Sequence, residues 1–193
     1  MKTPQPIVLV DSREQTPLLF ENLPTERATL PTGDYSVKGF ESDFCIERKS
    51  VADLVQSATF ERERFERELV RMRGYSFRRL LVVGSLADVE GHNYRSRASP
   101  RAIIASLTAF EVRYSLPVCF RETPEAAAVQ VERWAFYFLR ERLIAASETL
   151  RIYSEQAPAP HPVKVLPARL TTRPHRAEWR EKSDIYLTHG GSP

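Results

Sequence analysis

The sequence predicts an α/β protein in which a central β-sheet is flanked by helices. Two continuous apolar runs, residues 7–10 (IVLV) and residues 80–83 (LLVV), are typical of strands that are buried on both faces. Segments with helical periodicity and capping residues alternate with such runs, which indicates a sheet covered by helices. A chain of 193 residues with 42% hydrophobic content can form one domain, or one domain plus a tail.

Three further strands are assigned from shorter apolar or alternating runs. They are residues 35–38 (YSVK), 44–46 (FCI) and 116–121 (LPVCFR). The first two follow each other closely along the chain, so they can pair as an antiparallel hairpin. We therefore predict a mixed sheet.

The helices are assigned where capping residues precede helical periodicity. Ser50 as N-cap and Asp53 three residues later resemble a capping box. Phe65, Leu69 and Met72 follow the spacing of one apolar helix stripe. Ser-Pro and Thr-Pro pairs each supply an N-cap followed by a first-position proline. The four predicted helices begin at residues 50, 60, 99 and 123, and the last extends to about residue 150.

The composition changes near residue 155. Six of the 14 prolines and the whole net charge of +3 fall in the last 38 residues, which show little periodicity. We therefore predict a folded domain over residues 1–154 and a proline-rich basic tail over residues 155–193 that is extended or partly disordered. Because residues 1–155 carry no net charge, nucleic-acid binding has to be argued from local arrangement.

Export and membrane insertion are not indicated by the sequence. It contains no signal peptide and no apolar stretch of membrane-spanning length. Cys45 and Cys119 lie in strand-like runs without a zinc-binding spacing, and we interpret them as reduced core residues. These features predict a soluble intracellular protein.

The segment of residues 33–53 (GDYSVKGFESDFCIERKSVAD) carries the candidate chemistry. Side chains two positions apart share a strand face, so Glu47 and Lys49 project together and Arg48 projects to the opposite side. Hairpin pairing would bring Asp34 close to Glu47 and Lys49. Two carboxylates at this distance repel each other unless a hard cation such as Mg²⁺ compensates their charge. Lys49 could orient or deprotonate a water, so the cluster suits phosphodiester hydrolysis.

Three motifs extend this pattern: VDSRE at residues 10–14, GDY at residues 33–35 and ERKSVAD at residues 47–53. Together they resemble the nuclease domain of the XPF family of structure-selective DNA endonucleases, within the PD-(D/E)xK superfamily. The family's core motif, GD…ERK-x₃-D, is complete, and the resemblance covers roughly residues 7–150. It implies a restriction-endonuclease-like fold and cleavage of branched or flap DNA in repair or recombination. The implied cofactor is Mg²⁺, with Mn²⁺ as a substitute.

The resemblance also implies roles for the acidic motif residues. Asp34 and Glu47 would bind the metal, and Asp11 would help directly or through a water. From the residues alone, a loop-capping aspartate at the end of a strand is the preferred interpretation of Asp11, whereas the resemblance favours the functional one. Asp53 belongs to the family motif, but its helix-capping position could explain it entirely, and both interpretations stay open.

The basic motif residues are assigned to the water and the phosphate. Lys49 would position or activate the attacking water, and Arg13 or Arg48 could steady the phosphate. Arg48 has a second interpretation, because a regular strand directs it away from Lys49 and into a scaffold ion pair. A β-bulge would instead let Arg48 reach the phosphate.

Two segments outside the motifs are candidates for DNA binding. Arg62 and Arg64 lie on the helix that follows the motif strand, where an ion-paired solvated face is the alternative. Tyr94, Arg95 and Arg97 combine an aromatic ring with arginines in one loop (GHNYRSR), a composition that can stack on bases and pair with phosphates. A solvated flexible loop is the alternative there.

The expected partners follow only from the resemblance. The family usually carries a helix-hairpin-helix domain after the nuclease domain, and no matching glycine-rich hairpins occur here. We expect branched DNA as the partner, with a homodimer or an accessory DNA-binding protein, and no membrane contact. The compartment would be the cytoplasm or nucleoid in a prokaryote or phage and the nucleus in a eukaryote. Two other functions stay open, a non-catalytic DNA-binding or scaffold subunit and a nuclease without structure selectivity.

Overall fold

A computed structural model describes residues 4–156, and the statements below concern these residues. The tail predicted for residues 155–193 lies almost entirely outside them. The strands are β1 (Val8–Asp11), β2 (Thr25–Ala28), β3 (Tyr35–Val37), β4 (Phe44–Ser50), β5 (Phe77–Val83) and β6 (Val118–Arg121). The helices are α1 (Val51–Ala58), α2 (Arg62–Met72), α3 (Leu86–Glu90), α4 (Pro100–Tyr114) and α5 (Pro124–Gln156). No helix in this part of the chain is long and apolar enough to cross a membrane.

The six strands form one mixed sheet in the order β2-β1-β3-β4-β5-β6. β3 is antiparallel to both β1 and β4, whereas β1 pairs with β2, β4 with β5 and β5 with β6 in parallel. The predicted hairpin is confirmed, with Tyr35 opposite Ile46. The predicted mixed α/β fold is confirmed as well. β2 and α3 were not predicted, because β2 (TERA) is an exposed edge strand and α3 has only five residues.

Each face of the sheet is covered by helices. Helices α1 to α4 pack on one face, and the stripe of Phe65, Leu69 and Met72 on α2 is buried there as predicted. Helix α5 covers the other face. Along β4 the side chains alternate between the two layers, with Cys45 in the first core and Phe44 and Ile46 in the second. If the same alternation continues past Ile46, Glu47 and Lys49 lie on the side of Cys45 and Arg48 lies on the side of Ile46.

Gly33 occupies a position that only glycine fits. Its φ angle is +78°, and a Cβ would lie 2.6 Å from Cys45 Sγ and 2.8 Å from the Ile46 carbonyl oxygen. A positive φ and the close approach of another segment therefore both require a glycine here. This close contact lets the segment before β3 lie against β4, which places Asp34 beside the end of that strand.

We expect Gly33→Ala to lower the free energy of unfolding by about 3 kcal/mol, because backbone strain and a clash with the β4 backbone add together. Gly39 is a matched control, since its φ is +85° but a Cβ there would meet nothing within 4 Å. Gly39→Ala should cost only about 1 kcal/mol, the strain alone. Urea unfolding followed by circular dichroism measures both values. Equal losses in the two variants would contradict the packing argument.

Candidate active site

The candidate site lies where β1 ends, β3 begins and β4 reaches its charged end. The Asp11 N–H donates to the Asp34 carbonyl oxygen at 2.8 Å, and the Asp34 N–H donates to the Ile46 carbonyl oxygen at 2.8 Å. These backbone bonds hold the motif residues together although they are far apart in sequence. Asp11, Asp34, Glu47 and Lys49 all line one open cavity of about 490 Å³.

β4 is regular along its pairing with β5, which determines the directions of its charged side chains. Its register with β5 is unbroken from Phe44 to Ser50, so β4 has no bulge against this neighbour. Glu47 and Lys49 form an ion pair on one side, as predicted. Arg48 donates instead to Thr16 Oγ1 at 2.8 Å and to Glu14 Oε1 at 3.3 Å. This geometry favours the scaffold interpretation of Arg48, although its side chain also borders the cavity.

Two carboxylates of the site, Asp34 and Glu47, are held in surroundings that disfavour their charge. Burial raises the pKa of Asp34 from its usual 3.8 to about 6, and the charges of Glu14 and Glu68 add to this rise. A hydrogen bond of 2.7 Å from the Arg48 N–H to Asp34 Oδ2 acts in the opposite direction. Glu47 is 4% exposed, and burial followed by the charge of Asp34 raises its pKa well above the usual value.

Lys49 remains a cation beside these carboxylates. Burial lowers the pKa of Lys49, but the charge and hydrogen bond of Glu47, together with the charges of Glu68 and Asp34, raise it overall. Its Nζ atom also lies 5.1 Å from the centre of the Phe65 ring, a favourable cation–π distance. An ammonium group in this state donates hydrogen bonds and does not accept protons. The arrangement therefore favours orientation of a water over its deprotonation by Lys49.

The donor set of the site fits a hard divalent cation. Asp34 and Glu47 offer carboxylate oxygens, and their pKa values are raised mainly because the two groups are buried. Mg²⁺ is commonly bound through one or two carboxylates and keeps several waters. Across residues 4–156, no group of three or more His, Cys, Asp and Glu side chains is arranged to hold a metal. Asp34 and Glu47 are of the oxygen-donor type that this cation prefers.

Asp11 is engaged by Arg13. Its Oδ1 atom accepts from the Arg13 N–H at 2.8 Å and Nε at 2.7 Å, and its Oδ2 atom accepts from Arg13 Nη2 at 3.0 Å and the Leu30 N–H at 2.8 Å. The hydrogen bond from the Arg13 side chain lowers the pKa of Asp11 to about 2 despite burial. In this arrangement Asp11 holds the Arg13 guanidinium at the cavity. The participation of Asp11 in metal binding stays a prediction.

The structure is compatible with both interpretations of Asp53, the helix-capping residue and the member of the site. Its N–H donates to Ser50 Oγ at 3.1 Å, and the Ser50 hydroxyl donates to Asp53 Oδ2 at 2.7 Å. The predicted helix cap is thus confirmed. Asp53 also borders the cavity close to Lys49, so its capping role does not remove it from the site.

One face of α2 forms a wall of the site. Arg64, Glu68 and Arg71 border the cavity, and their spacing of four and three residues places them on one helix face. Sequence reasoning missed Glu68, because helical spacing relates it to Arg64 and Arg71 but does not identify which face of α2 meets the strand. Arg64 lies at the site as its predicted role requires. Its guanidinium also pairs with Glu61 at 3.0 Å.

The other candidate DNA-binding residues lie away from the cavity. Arg62 pairs with Glu66 at 2.9 Å and donates to Ser106 Oγ on α4 at 2.9 Å, which favours a structural role. The Tyr94 hydroxyl donates to the Ala98 carbonyl oxygen at 2.9 Å, and its ring packs against the core. Arg95 and Arg97 are exposed on the same loop and do not border the site. Their contact with DNA stays a prediction.

Comparison with known proteins gives a family and a fold. The ERCC4 domain profile matches residues 10–132. XPF from Aeropyrum pernix is similar in structure, with a TM-score of 0.55 and 25% sequence identity over 67% of this chain and 60% of that chain. For the same protein in complex with DNA, the TM-score is 0.57 and the identity is 24%, over 70% of this chain and 66% of that chain. The match thus spans less than two thirds of either solved chain. No curated protein matches the sequence.

Proposed function

The chain belongs to the ERCC4 domain family, and from the geometry of its site we propose that it is a metal-dependent DNA endonuclease. The observation that carries this proposal is the convergence of Asp34, Glu47 and Lys49 in one open cavity. Two carboxylates with raised pKa values and one ammonium group match the needs of phosphodiester hydrolysis. The same residues occupy the GD and ERK positions of the family motif.

Asp34 and Glu47 are the proposed ligands of Mg²⁺, for which Mn²⁺ can substitute. When bound, the ion would supply Lewis-acid stabilisation of charge on the phosphate. Glu47 also fixes the Lys49 ammonium group through their ion pair. Since Lys49 has three N–H donors, two remain for the attacking water and a phosphate oxygen. Donors fixed before the reaction stabilise the charge that develops at the transition state.

The arginines around the cavity are the proposed contacts for the DNA backbone. Arg13 is held rigidly by both oxygens of Asp11, while its side chain is 66% exposed. A planar guanidinium in this state can bind a phosphate without much loss of conformational entropy. Arg64 and Arg71 offer further positive charge on the α2 wall. The scissile strand would therefore pass between the β1 end and α2.

The proposed substrate is DNA with a branch, flap or junction. Two observations support DNA as the substrate, the arginine-lined cavity and the similarity to a protein whose structure was solved with DNA. The branched form rests on the resemblance of the motifs to structure-selective enzymes. A homodimer or an accessory DNA-binding protein remains part of the proposal as the source of additional DNA contacts.

The function can be tested with a labelled panel of single strand, duplex, 3′ flap, 5′ flap, fork and four-way junction. We expect cleavage of the branched substrates in Mg²⁺ or Mn²⁺ and none in EDTA. Equal cleavage of every substrate would leave a nuclease without structure selectivity. Binding without cleavage in both metals would instead assign the chain to a non-catalytic DNA-binding subunit.

A further inference from the structure

A second cleft adjoins the candidate active site. It has a volume of about 540 Å³ and lies between the β1–β2 loop and the first two turns of α5. Thr16 and Arg48 border both this cleft and the active-site cavity. Their hydrogen bond, 2.8 Å from Arg48 Nη2 to Thr16 Oγ1, forms a partition between the two spaces. A ligand bound at the active site would therefore reach the cleft by passing this partition.

The cleft is already formed because its loop is tied to the core at both ends. The Leu18 N–H donates to the hydroxyl of buried Tyr35 at 2.9 Å. Further along the loop, Asn22 donates its backbone N–H and its side-chain amide to the Glu132 carboxylate, at 2.8 and 2.7 Å. The loop between these ties carries Leu19, whose side chain is 82% exposed. A loop whose backbone is tied in this way loses little backbone conformational entropy when it binds a ligand.

The walls of the cleft suit a flat apolar ring. One side is formed by Pro17, Leu18 and Leu19, and the other by Ala128 and Val129 of α5. A nucleobase presents two apolar faces and fits a cavity of this size, in the range of small-molecule sites. Single-stranded bases are commonly stacked against apolar or aromatic side chains and arginine planes.

The charges of the cleft discriminate between a base and a phosphate. Glu21 and Glu125 border the cleft, and Arg48 is the only cation among its described lining residues. Carboxylates repel phosphates but accept hydrogen bonds from the amino groups of bases. The backbone is therefore favoured on the arginine-lined side and the base in the cleft.

We propose that this cleft is a subsite for one unpaired nucleobase next to the scissile phosphate. The inference rests on the proposed nuclease function and narrows its substrate class. A base can enter the cleft only when it is unpaired and out of the helical stack. Cleavage therefore requires a local opening of the duplex beside the cut, and a branch or flap supplies such an opening.

The test is an abasic scan of the best substrate of the panel, with one base at a time removed on either side of the cut. In the wild-type full chain, one abasic position should lower kcat/KM roughly tenfold, the usual loss of one stacked base. Leu19→Asn keeps the side-chain size and adds no charge. It should lower kcat/KM on the intact substrate several-fold and bring the ratio of intact to abasic rates toward one. Val112→Asn is the matched control, because Val112 is 79% exposed on α4 and outside the cleft.

The outcomes separate the subsite from the nuclease. If DNA is cleaved and removal of no single base changes the rate, the base subsite is wrong while the nuclease function is supported. The cleft would then bind another ligand, such as a peptide. A position-dependent scan that Leu19→Asn does not change would place the base outside this cleft. If no DNA is cut, the Kd of the same oligonucleotides, measured in EDTA, decides whether the cleft binds a base. A loss of affinity at one abasic position would keep the subsite without the nuclease, and equal or absent binding would overturn both.

Discussion

Replacement of Lys49 by alanine is expected to lower the rate of DNA cleavage about 10³-fold in Mg²⁺. The ammonium group lies in the cavity, paired with Glu47, and its raised pKa keeps it charged at neutral pH. Its removal takes away the donor that would act on the water and the phosphate. It also leaves a buried carboxylate without its cation, and such a carboxylate takes up a proton more readily.

Two further variants make this result specific. Lys49→Met keeps the apolar stem beside Phe65, so it should lose cleavage equally while it retains the packing. Lys38→Ala removes an exposed lysine that pairs with Glu26 at 2.8 Å, and its rate should equal that of the wild type. Single-turnover rates at saturating DNA measure the effect, and circular dichroism confirms folding. A rate within tenfold of the wild type in Lys49→Met would remove Lys49 from the chemistry.

The part of the site that could be predicted from the sequence is set by β4 and by the hairpin that it forms with β3. The direction of Glu47, Arg48 and Lys49 follows from the two-residue period of β4, and the regular register with β5 preserves it. The position of Asp34 follows from hairpin pairing and from a glycine that allows close approach. Local geometry of this kind is encoded within some 20 residues, so it can be predicted before the fold is known.

The remaining part of the site depends on how distant elements pack. Glu68 reaches the cavity because the apolar stripe of α2 docks beside β4, and helical spacing alone does not identify which polar face meets the strand. Arg48 forms a hydrogen bond with Glu14, which lies 34 residues earlier in the sequence. The loop with Tyr94 had a DNA-binding composition, but its aromatic ring is used in packing. Composition predicts what a segment can bind, whereas tertiary packing decides what the segment faces.

Replacement of Asp34 by asparagine is expected to abolish cleavage and, in EDTA, to stabilise the protein. The pKa of Asp34 is about 6 in the folded protein, above its usual 3.8. The folded state therefore binds more protons than the unfolded chain between about pH 4 and pH 6, and stability falls as the pH rises through this window. An asparagine at this position would carry no charge, so the variant should exceed the wild type by about 2 kcal/mol above pH 6 and by little at pH 4.

The control for this stability gain is Asp43→Asn. Asp43 pairs with Arg142 at 3.5 Å and bonds to Ser76 at 3.0 Å, so its replacement should be neutral or slightly destabilising at every pH. Thermal unfolding in EDTA from pH 4 to pH 8 compares the variants. A destabilised Asp34→Asn at pH 8 would contradict the unfavourable burial of a charged carboxylate at this position, on which this prediction depends.

Addition of Mg²⁺ then tests whether the effect of Asp34 on protein stability is linked to its proposed role as a metal ligand. A cation that binds only the folded state stabilises the wild type in proportion to the logarithm of its concentration. Asp34→Asn lacks one of the two proposed ligands, so its Tm should change little with Mg²⁺ and its advantage over the wild type should shrink as Mg²⁺ rises. The carboxylate that costs stability in the metal-free protein would thus be the one that binds the metal. If the Tm of the wild type does not change with Mg²⁺ or Mn²⁺ at concentrations that support cleavage, this assignment is contradicted.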